Sequence, residues 1–296
     1  MRRTERIIIL TAVLFIGLGL MQILTRGVGA EPVLPDLLIW AMALLLMLIA
    51  GMGALWVRSA VAPAGAAASQ GAVVHSEPRV VESYLPLVGP LALPLRIVTP
   101  VMMAAAFMIF TQMFESGPVQ ALVLVVAGLS FSALYWAQVH STSINDRYFW
   151  FAQTLLNIIA HLTAFLLFSV IYGLKVRSLI SGSAVAVATG LLIYEMLSRD
   201  AEWHRAMNLP VRGRTGTLAL LSMGAGVVAG ELTWALNYWA ALPALVGGAF
   251  LLVVFYVLFG VASHYIDGTL TRRVLAEFGL VGAISVGVIL TTAFFG

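Results

Sequence analysis

Residues 148–174, "YFWFAQTLLNIIAHLTAFLLFSVIYGL", decide the fold. The stretch is apolar over a length that crosses the roughly 30 Å hydrocarbon layer of a bilayer, yet Gln153, Asn157 and His161 interrupt it at steps of four. Four residues advance a helix by about 400°, so the three groups form one polar stripe that drifts only about 40° per step. In hydrocarbon such a stripe faces protein or water, because lipid tails satisfy neither amides nor an imidazole. His161 follows Tyr148 by about 13 residues, roughly 20 Å of helix rise, which puts it near mid-bilayer. Three readings stay open: hydrogen bonding between helices at about 0.6 kcal/mol per contact, a path for protons or a solute, and axial ligation of a cofactor.

Working outward from that stretch, the composition fixes the class. Hydrophobic residues make up 61% of the 296 and charged residues 10%, with a mean hydropathy of +1.01. A water-soluble fold has nowhere to hide so much apolar surface. Nine apolar runs of spanning length are predicted: Ile7 to Thr25, Asp36 to Val57, Arg96 to Phe114, Val119 to His140, Tyr148 to Leu174, Ser178 to Ser198, Gly216 to Trp239, Leu242 to Tyr265 and Val274 to Phe295. Pro94 and Pro100 should bend or delay the start of the third. The expected architecture is therefore all-α, a single polytopic membrane domain over residues 1–296. An Ala, Gly and Pro-rich linker over 58–94 separates the second and third helices. The first run follows "MRRTER" and precedes "VGA", as a secretory leader would. Its length favours a retained first helix.

Thirteen of the 16 basic residues fall on one side of this threading; Arg26, Lys175 and Arg177 fall on the other. The positive-inside rule makes the first side cytoplasmic, with the N-terminus inside and the C-terminus outside. The net charge of +3 thus reads as topology and as attraction to anionic headgroups, not as a nucleic-acid surface. The polar stretch "LSRDAEWHRAMNLPVRGRTG", starting at Leu197, reads as a basic cytoplasmic loop.

Acids within the spans are few. Glu195 and Arg199, and likewise Arg273 and Glu277, stand four apart and can neutralise each other on one helix. Glu231, in "GAGVVAGELTWALNYW", has only Val227, Val228, Trp234 and Ala235 at helical spacing, so it is protonated or partnered from another helix. By helix rise it lies within about 3 Å of the depth of His161, and a contact between them would make a coupled proton-relaying pair. Small residues in "SGSAVAVATG", "GTLALLSMGAGVVAGE", "LVGGAF" and "FGLVGAISVG" suit close helix packing, or room for a pigment, quinone or lipid tail. His140, His264, Asp267 and Glu195 gather near the cytoplasmic interface as weak metal candidates, with His75 and His204 expected in loops. The chain has no cysteine, no HExxH, no phosphate-binding GxxxxGK[ST], no serine elbow and no mid-span lysine for retinal.

The C-terminal third, with "ELTWALNYW" from Glu231, Tyr256 in "VVFYVLFG", "TLTRR" from Thr269 and Glu277, resembles an uncharacterised family of bacterial multi-pass membrane proteins, a domain of unknown function. The resemblance implies a bacterial inner-membrane location and brings no active site. Two functions of different class are expected. A transporter or proton-linked permeation protein would use Gln153, Asn157, His161 and Glu231 as its polar core. An accessory or scaffold subunit would instead hold a membrane-protein partner, with lipid, quinone or pigment as a bound group. A membrane-embedded enzyme comes third.

Overall fold

A computed structural model describes residues 3–26, 36–59, 96–114, 116–207, 215–238 and 242–295. Among these it contains nine helices: α1 Arg3–Arg26, α2 Asp36–Ser59, α3 Val98–Gln112, α4 Gly117–His140, α5 Phe149–Gly173, α6 Ser178–Ala206, α7 Thr215–Leu236, α8 Ala244–Ile266 and α9 Arg272–Phe295. Each overlaps one of the nine expected runs. The linker expected over 58–94 lies almost wholly outside the described residues, as do His75 and residues 208–214 of the polar stretch.

Local chemistry explains several boundaries. Pro100 sits in the first turn of α3, where a missing N–H costs nothing, so the helix simply begins at Val98. Extended Ser116 caps α4, its side chain accepting from the Val119 N–H at 3.4 Å, with Pro118 just inside the helix. Lys175 leaves α5 with a positive φ of 47°. It is held there by an Nζ–H bond to the Leu242 carbonyl at 3.3 Å and by the Tyr172 ring 4.0 Å away.

Among the described residues six helices are long and apolar enough to cross a membrane: Thr4–Ile23, Gly117–His140, Phe149–Gly173, Ser178–Arg205, Gly216–Leu236 and Ala244–Ile266. Over the described residues α2 and α3 are shorter apolar helices, Ala41–Val57 and Val98–Gln112. α9 carries Arg272, Arg273 and Glu277 in its first turns and falls outside both groups. The bundle is apolar on its outside as well as in its core. Leu44, Leu48 and Met52 on α2, Leu122 and Leu129 on α4, Leu220 and Met223 on α7, and Leu280 and Ile284 on α9 all face outward, far more apolar surface than water tolerates. Buried hydroxyls fold back on their own helices, Thr163 to the Ile159 carbonyl, Ser222 to Leu218 and Thr233 to Ala229, each at 2.8 Å. Phe107, Phe131, Tyr135, Phe168 and Phe255 fill the centre.

Small residues seat two helix pairs. α6 and α7 form the most intimate pair of the bundle: a Cβ on Gly226 would stand 2.5 Å from the Ala186 carbonyl oxygen, and one on Gly230 2.9 Å from that of Gly182. α5 and α8 close in the same way, since a Cβ on Gly248 would lie 2.8 Å from the Ser169 backbone. The expected role of the small-residue runs in close packing is met at both places.

Candidate functional site

α6 continues for two turns beyond the predicted Ser198, through Ala206. What the sequence suggested as the start of a basic loop is helix, because its polar side chains find partners inside the bundle. In "EMLSRDAEWHR", residues 195–205, Glu195, Arg199 and Glu202 share one face at steps of four and three. Glu195 is only 3% exposed and Arg199 5%.

The expected pairing of Glu195 with Arg199 on one helix gives way to partners on two neighbours. One Glu195 carboxylate oxygen, Oε2, accepts from both the backbone N–H and the hydroxyl of Thr99, each at 2.8 Å. Thr99 lies in the first turn of α3, whose N–H groups lack intrahelical acceptors and whose dipole favours a negative charge. Arg199 turns to α5 and donates from Nη2 to Asn157 Oδ1 at 2.9 Å. Its Nε and Nη1 are buried with no hydrogen-bond partner among the described residues. Arg199 and Arg96 remain close enough to act on the charge of Glu195. One turn further, Arg96 pairs with Glu202, and Gln138 on α4 donates to the Arg96 carbonyl at 3.3 Å.

The network extends to α8. Asp200 accepts from the Ser263 hydroxyl at 3.3 Å. His204, expected in a loop, is buried on α6, with Nδ1 donating to the Asp200 carbonyl at 2.8 Å and Nε2 3.4 Å from Asp267. Trp203 stacks on its ring, the centroids 3.7 Å apart.

Toward mid-helix, His161 Nδ1 lies 2.7 Å from the Asn157 carbonyl. A carbonyl only accepts, so Nδ1 carries the proton and Nε2 holds the lone pair. That Nε2 is buried with no hydrogen-bond partner among the described residues, beside the rings of Phe255, Tyr256 and Phe259 on α8, at centroid distances of 5.3, 6.0 and 5.9 Å. Asn157 thus joins two groups, Arg199 through its side chain and His161 through its backbone. Gln153, half-buried, continues the stripe one turn earlier.

Glu231 stands apart from this core. It is exposed on α7, on the outward face that carries Val227, Val228 and Trp234. α5 and α7 meet instead near their far ends, where the Tyr172 hydroxyl donates to the Leu236 carbonyl at 3.2 Å. The weak metal candidates disperse. His140 bonds Asp146 at 2.6 Å, His264 bonds the Thr269 hydroxyl at 2.7 Å, Asp267 faces His204, and Glu195 faces Thr99. Among the described residues no three His, Cys, Asp or Glu side chains are placed to share a metal. The pair expected on α9 is present, with Arg273 Nε 3.0 Å from Glu277 Oε1.

Thr99, Gln138, Arg199, Asp200, Glu202 and His204 belong to the network and were not candidates from the sequence. The spacing of Glu195, Arg199 and Glu202 was the available signal: charges recurring on one helical face past the apolar run.

A family model described as "Protein of unknown function (DUF5656)" matches residues 21–292, and the chain belongs to that family. The match covers nearly the whole chain, not only the C-terminal third on which the resemblance was drawn. No curated protein and no solved structure matches the chain.

Proposed function

We propose, starting from that membership, that the protein is an integral membrane protein carrying out proton-linked permeation through a polar core of Asn157, His161, Glu195 and Arg199, flanked by Gln153. The observation that carries the reading is the Arg199–Asn157 bond at 2.9 Å beside a carboxylate that is 3% exposed. Ionisable groups inside an apolar helix bundle are costly and usually serve transport or relay. Asn157 links Arg199 to an imidazole whose Nε2 lone pair is a proton acceptor. The arginine asymmetry supports an N-terminus in the cytoplasm and nine crossings, and the resemblance drawn from the C-terminal third supports a bacterial inner-membrane location. On that threading the core lies in the cytoplasmic half.

The test uses purified protein in vesicles that hold a pH-sensitive dye and an imposed pH gradient. Wild type should dissipate the gradient faster than empty vesicles. Glu195→Gln, which keeps an acceptor for Thr99 but removes the titrating group, should cut the rate at least tenfold, whereas Glu231→Gln should leave it unchanged. No flux from the wild type would reject the proposal and leave the accessory-subunit reading. That second reading is favoured by one observation, the exposed carboxyl of Glu231 on an otherwise apolar face, which a partner helix would cover.

A further inference from the structure

The seating of the helices is uneven in a way that bears on movement. α6 and α7 are fastened backbone to backbone by Gly182, Ala186 and Gly190 against Ser222, Gly226 and Gly230. α5 and α8 are fastened likewise at Ser169 and Gly248. Such contacts gain their dispersion energy only at close approach, so each pair holds its own geometry.

The join between α6 and the neighbouring α3 and α5 differs along its length. At the arginine-rich end it consists of three polar ties: Thr99 to Glu195, Arg96 to Glu202 and Asn157 to Arg199. Away from that end α3 and α5 still meet, at Met113 and Gly173, but α6 stands off from them, leaving an apolar groove of about 460 Å³ between Met102 and Ala105 on α3, Leu167 and Ile171 on α5, and Ala184 and Val187 on α6. One half is tied by hydrogen bonds and ion pairs, and the other has walls that do not meet. The tie is also incomplete, since two buried N–H groups of Arg199 have no hydrogen-bond partner among the described residues. A buried donor without an acceptor is costly, a cost relieved when water reaches it.

We propose that α6 and α7 rock as one unit against α3, α5 and α8, so that the three ties part as the groove closes. The described arrangement is the state with the arginine-rich end shut. Opening that end hydrates Arg199 and Glu195, and closing the groove brings together walls that already match in chemistry. The inference deepens the permeation reading by supplying its moving part, but its measurement does not involve flux.

The chain has no cysteine, so spin labels can be placed without altering other sites. Met102→Cys with Val187→Cys spans the groove, and Leu191→Cys with Met223→Cys reports the α6–α7 pair. Distances are read by pulsed electron paramagnetic resonance in lipid nanodiscs, in the parent and in two variants that each remove a different tie, Glu195→Leu and Arg96→Gln. The expected result is a shift of the α3–α6 distribution to shorter distances in both variants, with the α6–α7 distribution unchanged. That unchanged distance also certifies folding, and either variant alone decides the matter. An α3–α6 distribution identical to the parent, or an α6–α7 distance that moves with it, overturns the inference. Absence of movement with intact flux would reject the rocking unit alone; movement without flux would reject only the permeation reading.

Discussion

At the residue scale the account rests on Asn157. Its side-chain oxygen is the acceptor for a guanidinium that is 5% exposed, and its backbone carbonyl sets the tautomer of His161. Replacing it with leucine keeps the branched outline and the backbone bond but removes the acceptor, leaving a buried cation without its hydrogen bond. Hydrogen bonds to charged groups contribute about 1.5–3 kcal/mol, so Asn157→Leu should destabilise the detergent-solubilised protein by that order in thermal or denaturant unfolding. The double variant Asn157→Leu with Arg199→Leu should recover part of the loss, because an apolar pair leaves nothing unsatisfied. Equal stability of Asn157→Leu and wild type would show that Arg199 does not depend on this contact. The stripe of Gln153, Asn157 and His161 was legible in the sequence from a step of four alone. The partner of Asn157 was not, since periodicity gives the face of a helix but not what lies opposite. Arg199 had an apparent partner at Glu195, and the preference of that carboxylate for the first turn of α3 depends on a tertiary arrangement that no local spacing encodes.

At the scale of the element, α6 shows both what patterning reveals and where it stops. Its apolar run ends near Ser198, and the charged residues that follow look like a loop when judged by hydropathy. They continue the helix because Arg199, Glu202 and His204 are answered by Asn157, Arg96 and Asp267. The small residues of α6 and α7, by contrast, announced close packing directly, because only the absence of a side chain lets two backbones approach. Position matters within that run. Gly226 faces the Ala186 carbonyl at 2.5 Å from its would-be Cβ, whereas Gly224 faces open space. Gly226→Ala should force the pair apart and cost about 1–3 kcal/mol. Gly224→Ala should be neutral or gain up to about 1 kcal/mol from helix propensity. Melting temperatures of the two variants in one detergent compare them directly, and the same loss in both would remove the glycine-dependent contact from the account.

At the scale of the whole molecule, apolar side chains cover the outside and the charged network lies within, at the end where Arg96, Arg199 and Arg205 gather. The existence and order of the nine helices followed from runs of spanning length, because hydrocarbon thickness imposes a minimum that soluble helices need not meet. The number of crossings is less directly encoded. α3 is only 15 residues long, roughly 22 Å of rise, and α9 begins with three charges, so neither declares itself by length and composition as α5 and α8 do. Reading all nine as crossings fixes the two ends of the chain on opposite sides and sets the polar core on the cytoplasmic side. The most direct measurement is labelling of single cysteines, one replacing Arg2 and one replacing Gly296, with a membrane-impermeant maleimide on intact right-side-out cells or vesicles. The account predicts that the cysteine at position 296 is labelled from outside and the one at position 2 only after the membrane is opened. Labelling of both from the same side would mean an even number of crossings and would contradict it.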